Sequence, residues 1–350
     1  MKKGLLFILL STFLFSSMEI SLKLVTGVFN PVQITFLRFL IGSLILLPLT
    51  IKGLRTRKVA LNGDDVSFFA LTGFLCVVVS MVLFQMAVVY GQASVVAVLF
   101  SCNPVFVVVF AYFILKEPIT KYTVVTLMFS LAGILAIMNP ANLAGNGLAI
   151  ALILLSALTF ALYGVIGRKR SERYGGFGLT CLSFLFGSAE MLVLILLSRV
   201  DFIAAFLTSS GLGSFARVPL IQGITLATLP MLLYIGVFIS GFGYAFYFLA
   251  MEETSAATAS LVFFIKPVLA PVMAYFLIND PITLNMVLGI VLIVAGSVIS
   301  FIPKLRPERQ EALAEELEEV AEDLEANVEN DVAFAERDVE PDLAGVKNKG

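Results

Sequence analysis

Five ionisable side chains interrupt long apolar runs in this chain: Glu19, Lys23, Arg38, Glu190 and Lys266. A charge held in hydrocarbon costs about 2.5 to 3.5 kcal/mol even on a lenient insertion scale, so such residues mark ligand sites, proton paths or buried ion pairs. Lys266 is the deepest. In LVFFIKPVLAPVMAYF, residues 261–276, it stands about 17 Å from the inner end of its apolar run at the helical rise, too deep to reach either surface easily. Pro267 removes a backbone N–H beside it and Pro271 does so one turn later, which predicts a bent helix with freed carbonyls at that depth. An ammonium beside an interrupted helix suits a carboxylate or a phosphate. The other use of Lys266 is a buried pair with Glu19 or Glu190, and the sequence leaves both open.

Glu19 and Lys23 are four residues apart and share a helical face. They read either as a plain ion pair or with Glu19 free to exchange protons or meet a substrate ammonium. Glu190 lies about 12 Å below the outer end of its run, among the small residues Gly187, Ser188 and Ala189, where a proton relay or gate could form. Arg38 stays protonated, so it is a poor proton carrier; its depth favours a structural pair or outer gate over direct substrate contact. Tyr163, Tyr244, Tyr247 and Gln85 are polar groups inside apolar runs, suited to lining a cavity or to packing between helices. Histidine is absent, and no Cys-x-x-Cys pair or phosphate-cradling glycine loop appears. That removes the usual general base, metal ligands and nucleotide site. The sequence therefore predicts neither an enzyme nor a bound cofactor or metal, and no nucleic-acid partner. Cys76, Cys102 and Cys181 read as small packing residues.

These residues are positioned by runs that dominate the composition. The 350 residues are 59% hydrophobic and the mean hydropathy is +1.00, far from the mixed pattern of a soluble domain. A bilayer core of about 30 Å needs about 20 apolar residues per helix. Ten runs satisfy this: 4–24, 31–51, 66–89, 93–115, 121–139, 146–167, 176–198, 228–250, 255–278 and 283–302. Continuous runs of this length predict helices rather than barrel strands. The opening MKKGLLFILLSTFLFSS has signal-peptide character, but nine further spans favour a first helix of a bundle. With a cytoplasmic N-terminus, Lys52, Arg55, Arg57, Lys58, Lys116, Lys121, Arg168, Lys169, Arg170 and Arg173 all fall on one side, against Lys23, Arg199 and Arg217 on the other. Both termini are thus expected in the cytoplasm, with the chain in the inner membrane of the cell.

The chain also repeats itself. VAVLFSCNPVFVVVFAYFILKEPIT (96–120) aligns without a gap on ASLVFFIKPVLAPVMAYFLINDPIT (259–283), a shift of 163 that pairs Pro104 with Pro267 and Asn103 with Lys266. Two polar groups so related would converge on one cavity. Five spans per half is an odd number, so the second half must enter from the opposite face, an inverted repeat of the kind found in carriers with a midplane site. The expected division is 1–140 for the first half, 141–303 for the second and 304–350 for a tail. The tail holds 15 of the 25 acidic residues. Leu313, Leu317, Val320 and Leu324 predict a short amphipathic helix before polarity takes over. It reads as a solvated cytoplasmic extension, or as a weak seam for a partner or a homodimer.

On the paired ten-helix plan, KEPIT and NDPIT, the mid-span prolines and FLRF (36–39), residues 4–302 resemble the EamA family of drug/metabolite transporters. The resemblance implies a secondary transporter for amino acids, nucleobases, sugars or other metabolites, often outward, and matches Arg38 to an arginine common in the family. Phe15-Ser16 stands where members tend to have Trp-Gly, and the charge of Lys266 is a further departure. The reading is an all-α carrier exporting a small polar metabolite, an amino acid or organic anion, by alternating access, with protons as the candidate coupling ion and lipid as its surroundings. Its rivals are an exchanger or uptake carrier for nucleotide-like or phosphorylated solutes, and a scaffold or sensor acting through the acidic tail.

Overall fold

Two capping boxes show how polar residues start apolar helices here. Asn30 accepts from the backbone N–H of Val32 and Gln33 while Gln33 Oε1 accepts from Asn30 N, and Asn62 and Asp65 do the same. Each box satisfies donors that a helix start leaves without partners. The computed structural model describes residues 2–116, 121–138, 143–254, 259 and 262–301. Among these the chain is helical, with no strand. The helices that matter are α1 (Lys3–Leu24), α2 (Pro31–Thr56), α3 (Gly63–Tyr90), α4 (Ala93–Leu115), α5 (Lys121–Met138), α6 (Leu143–Arg168), α7 (Ser171–Leu197), α8 (Leu229–Glu253), α9 (Val262–Ile278) and α10 (Leu284–Phe301).

Seven of them, α1 to α4 and α6 to α8, are long and apolar enough to cross a membrane. The ten expected crossings meet this shorter count because the described parts of α5, α9 and α10 hold 18, 17 and 18 residues, about 26 Å of helix against a core of about 30 Å. The expected acidic tail helix lies outside the described residues, as do Pro118, Ile119 and Thr120 of the repeat motif. Proline breaks the chain in one of its expected places. In α4, Ser101 and Cys102 turn, and Pro104 opens the next helical stretch from Asn103 to Phe110, where its missing N–H costs nothing. The break expected at Pro267 and Pro271 is not there: α9 runs unbroken through both. Each proline deletes one rung of the ladder and the rest holds.

The helices pack in a reciprocal pattern. The first helix α1 lies against α8 and α9, and α6 lies against α3 and α4; α2 meets α8 as α3 meets α7; α2 pairs with α7 and α4 with α9. Exchanging α1–α5 for α6–α10 returns the same set. Both α3 and α8 contain a π-helical stretch, Phe74–Ser80 and Tyr234–Gly243, and the first shifted by 163 falls inside the second. Glycines let these helices touch. A Cβ on Gly73 of α3 would lie 2.4 Å from Gly187 N of α7, and one on Gly236 of α8 would lie 2.8 Å from Ile41 Cβ of α2. Gly73 and Gly236 are again 163 apart. Between α7 and α8 the chain spends 31 residues (198–228) where α2 and α3 are joined by six (57–62). This longer link includes the amphipathic helix Asp201–Ser209, with Ala204 buried and Phe202 82% exposed.

Opposite ends of the bundle are tied by different contacts. Where α2 ends and α3 and α7 begin, Asp65 is buried and accepts from Tyr174 Oη, Arg173 Nη2 at 3.0 Å and Arg170 Nη1 at 3.4 Å. Arg57 pairs with Glu252, whose second oxygen accepts from Gly176 N at 3.1 Å. At the other end Ser94 donates to Asp280 through its backbone N at 3.0 Å and its hydroxyl at 2.8 Å. Asn30 Nδ2 donates to Ser214 O and Gln33 Nε2 to Gln222 O.

Gly73→Val should drive α3 from α7. A loss of about 1 to 3 kcal/mol or more is expected for forced overpacking, read as a lower melting point of the detergent-purified protein. Gly53→Ala, with nothing within 4 Å of a new Cβ, should be neutral or stabilising by up to about 1 kcal/mol.

Candidate functional site

The site starts at a flaw in α1. Helix Lys2–Ser16 stops and Met18–Leu24 resumes, with Ser17 between them. Ser17 Oγ donates to Leu14 O at 2.9 Å and shares a hydrogen bond of 2.8 Å with Tyr234 Oη. Serine pairs bend helices by offering the backbone such partners. The resumed turn carries Glu19, which has no solvent exposure.

From α9, Lys266 reaches Glu19: its Nζ donates to Oε1 at 2.5 Å, and it too is wholly buried. The ammonium also lies 5.1 Å from the centre of the Phe100 ring and 5.9 Å from that of Phe84. Such faces attract a cation where water cannot. Of the uses the sequence left open for Lys266, the geometry displays the pair with Glu19; Glu190 lies elsewhere, on α7, half-buried and with its Oε2 unpartnered. Lys23 does not pair with Glu19. It donates to Val88 O at 2.9 Å and Gly91 O at 2.7 Å, closing the carbonyl end of α3, where a cation is favoured.

Arg38 is the third buried ion. Its guanidinium lies 4.5 Å from the centre of the Phe39 ring, Nη1 reaches Met18 Sδ at 3.6 Å, and Nε and Nη2 have no hydrogen-bond partner among the described residues. Of the structural pair or outer gate expected for it, no ion pair at contact distance is seen among the described residues; Tyr244, Cys76 and Glu19 are its electrostatic neighbours. Tyr244 donates to Met81 Sδ at 3.1 Å and packs its ring on Phe39, Phe184 and Phe15. Tyr247 packs on Phe263 and Phe15, and Tyr163 on Phe160 and Phe248, both tyrosines buried. Gln85 is buried with Oε1 unpartnered. Asn103, the repeat partner of Lys266, donates through Nδ2 to Ala157 O of α6 at 2.8 Å. Lys266 thus bonds to α1 and Asn103 to α6.

A cavity of about 490 Å³ lies apart from this cluster, lined by Val78 and Val82 of α3, Met191 and Leu194 of α7, and Leu207 and Val218 of the long link. None of the candidate site residues lines it. Sequence reasoning missed Asp65 with Arg170, Arg173 and Tyr174, although Asn62-x-x-Asp65 ahead of an apolar run carries a capping-box signature. The pairs Ser17–Tyr234 and Ser94–Asp280 join residues more than 180 positions apart, and no local pattern signals them. Among the described residues no group of His, Cys, Asp and Glu could hold a metal ion.

Known proteins agree with this architecture. The model of the EamA-like transporter family matches residues 2–139 and 147–302. An uncharacterized transporter of Clostridium kluyveri is 42% identical over 309 residues, covering 86% of this chain and 94% of its own length. One from Archaeoglobus fulgidus is 27% identical over 301 residues, covering 85% and 97%. The mouse solute carrier family 35 member G1 is 30% identical over 145 residues, 41% of this chain and 38% of that protein. A solved crystal structure with 14% identity has a TM-score of 0.63 over 87% of this chain and 98% of its own, which shows a shared fold. With apolar helices able to cross a bilayer, the chain is a multi-pass membrane protein and belongs to the EamA-like transporter family.

Proposed function

We propose that this protein is a secondary carrier of a small polar organic metabolite, working by alternating access around the buried cluster of Glu19, Arg38 and Lys266. The observation that carries the reading is the Glu19–Lys266 pair, which joins α1 to α9 without solvent exposure. In this reading residues 1–140 and 141–303 are two five-helix halves inserted in opposite senses, giving ten crossings with both termini in the cytoplasm of an inner-membrane protein. The reciprocal packing of α1–α5 and α6–α10 supports it, as do the matched π-helical stretches and the basic residues gathered on one side. Lipid surrounds it, and a homodimer is compatible with it.

The pair then works as a latch between halves. A carboxylate on the solute competes with Glu19 for Lys266, and an ammonium competes with Lys266 for Glu19, so either an amino acid or an organic anion is the favoured cargo, with export the favoured direction. Glu19 is the group suited to take a proton when the pair opens, because a carboxylate deprived of its ammonium in hydrocarbon is strongly disfavoured as an anion. Tyr244 neighbours Arg38, and in this reading Tyr163, Tyr247, Gln85 and Asn103 are the other polar groups that line the solute's path. Glu190 is proposed as a gate on the flank of α7.

Removing one member of a buried pair strands the other, at about 3 to 5 kcal/mol, whereas removing both is often neutral. Lys266→Met and Glu19→Gln are therefore each expected to lower the melting point sharply. The double variant should recover most of the loss yet stay inactive in proteoliposomes loaded with candidate metabolites. A double variant that transports at the wild-type rate would remove the pair from the mechanism. Glu19→Gln, where it retains flux, should lose the dependence of that flux on an imposed pH gradient; undiminished dependence would place proton coupling elsewhere.

A further inference from the structure

The buried cluster holds two cations, Arg38 and Lys266, and one carboxylate, Glu19, all without solvent exposure. Lys266 is matched by Glu19 at 2.5 Å. Arg38 has no carboxylate within ion-pair distance among the described residues, and Glu19 acts on it only at longer range. It touches a thioether sulfur and an aromatic ring, and two of its three nitrogens have no partner among the described residues. Its other neighbours, Tyr244 and Cys76, are neutral at ordinary pH. A guanidinium stripped of water and left with free donors is among the costliest groups a protein can bury.

We infer that Arg38 docks the carboxylate of a small organic solute carrying a single net negative charge. The inference rests on the carrier reading and narrows its substrate class. Nε and Nη2 form one edge of the guanidinium fork, and this is an edge that receives the two oxygens of a carboxylate side by side. Charge arithmetic selects the net charge. One added negative charge brings the cluster to neutrality, a zwitterion leaves the surplus in place, and a dianion reverses it. Glu19 Oε2 also has no hydrogen-bond partner among the described residues. Because Lys266 already neutralises that carboxylate, a hydroxyl on the solute suits the free oxygen, whereas an ammonium there would restore the surplus charge. The rings of Phe39, Phe184 and Tyr244, in edge-to-face contact with one another, provide an apolar surface beside Arg38 for the rest of the solute. Arg38 is then the binding residue, and the Glu19–Lys266 pair positions and latches.

The test measures melting-point shifts of the purified full-length protein with lactate, 4-methylpentanoate and benzoate, against leucine, 4-methylpentanamide and adipate. A ligand that binds the folded state alone raises the midpoint with concentration, which yields an apparent Kd. At least one monoanion should stabilise, and its amide, zwitterion and dianion counterparts should be far weaker. Arg38→Gln should weaken that monoanion by at least about 30-fold, the loss expected on truncating one partner of a buried charge pair. Arg38→Lys, which keeps the charge and loses the fork, should weaken it by about tenfold and serves if the glutamine variant does not fold. Monoanions that stabilise nothing, leucine binding as well as they do, or Arg38→Lys binding at wild-type strength would each overturn the inference. Flux assays on the same proteins separate it from the carrier reading. Transport of a solute indifferent to Arg38 sinks the anion site alone, and Arg38-dependent binding with no flux of any solute sinks the carrier alone.

Discussion

An ammonium and a carboxylate facing each other inside an apolar bundle organise this protein more than any other contact. Glu19 and Lys266 are both fully buried, and neither could stay ionised there alone, because hydrocarbon offers no solvation to replace water. The pair therefore imposes geometry on the backbone that carries it. Ser17 divides α1 so that the turn bearing Glu19 can face α9, while the rings of Phe84 and Phe100 close around the ammonium. The same interaction is weak evidence for stability in itself, since a well-packed apolar pair of similar volume would hold the helices together as well. In the carrier reading, the pair serves instead as a breakable link between two moving halves.

The parts are related by more than sequence. Lys266 and Asn103 stand 163 residues apart; one reaches α1 by an ion pair and the other α6 by a hydrogen bond to Ala157 O. The neutral version of the contact shows what the charged one adds. An amide bonding to a backbone carbonyl is indifferent to protons and to ionic solutes, whereas an ion pair responds to both. The carrier reading thus divides labour within an otherwise matched framework: Asn103 holds one seam and Lys266 makes the equivalent seam conditional. At Gly73 with Gly187 and at Gly42 with Gly236 the helices come into backbone contact, as small residues allow.

Much of the framework was legible in the sequence because the bilayer demands long apolar runs, and runs are a local property. The helices α2, α3, α7 and α8 extend a few residues beyond the expected limits, as capping boxes and amphipathic ends carry them past the apolar core. The 163-residue shift was legible because prolines and small residues stayed in register, and the helix pairings and π-helical stretches repeat at the same spacing. Partners were harder. Glu19 and Lys23 looked paired by spacing, yet α3 ends beside Lys23 with free carbonyls that no one-dimensional pattern displays. Pro267 and Pro271 looked like breaks, but whether a proline interrupts a helix is decided by its neighbours in space. Arg38 was expected in a structural pair or an outer gate, and its direct contacts among the described residues are aromatic carbon and sulfur, with Glu19 acting at longer range.

That last disagreement bears most on function. A buried cation whose donors lack partners breaks a local rule, and such a break points to a demand other than folding. The contrast within the molecule sharpens this. Asp65, equally buried, gathers two arginines, a tyrosine hydroxyl and a backbone amide, so this fold can satisfy an ion completely where the purpose is to tie helix ends together. Lys23, only partly buried, finds carbonyls. Arg38 alone of these keeps an open donor edge, on the helix next to the one carrying Glu19 and within the same dry interior. Filling that edge with a permanent carboxylate would lower the energy of the resting protein, and would also remove the only part of the cluster that an incoming anion could occupy without first breaking the latch.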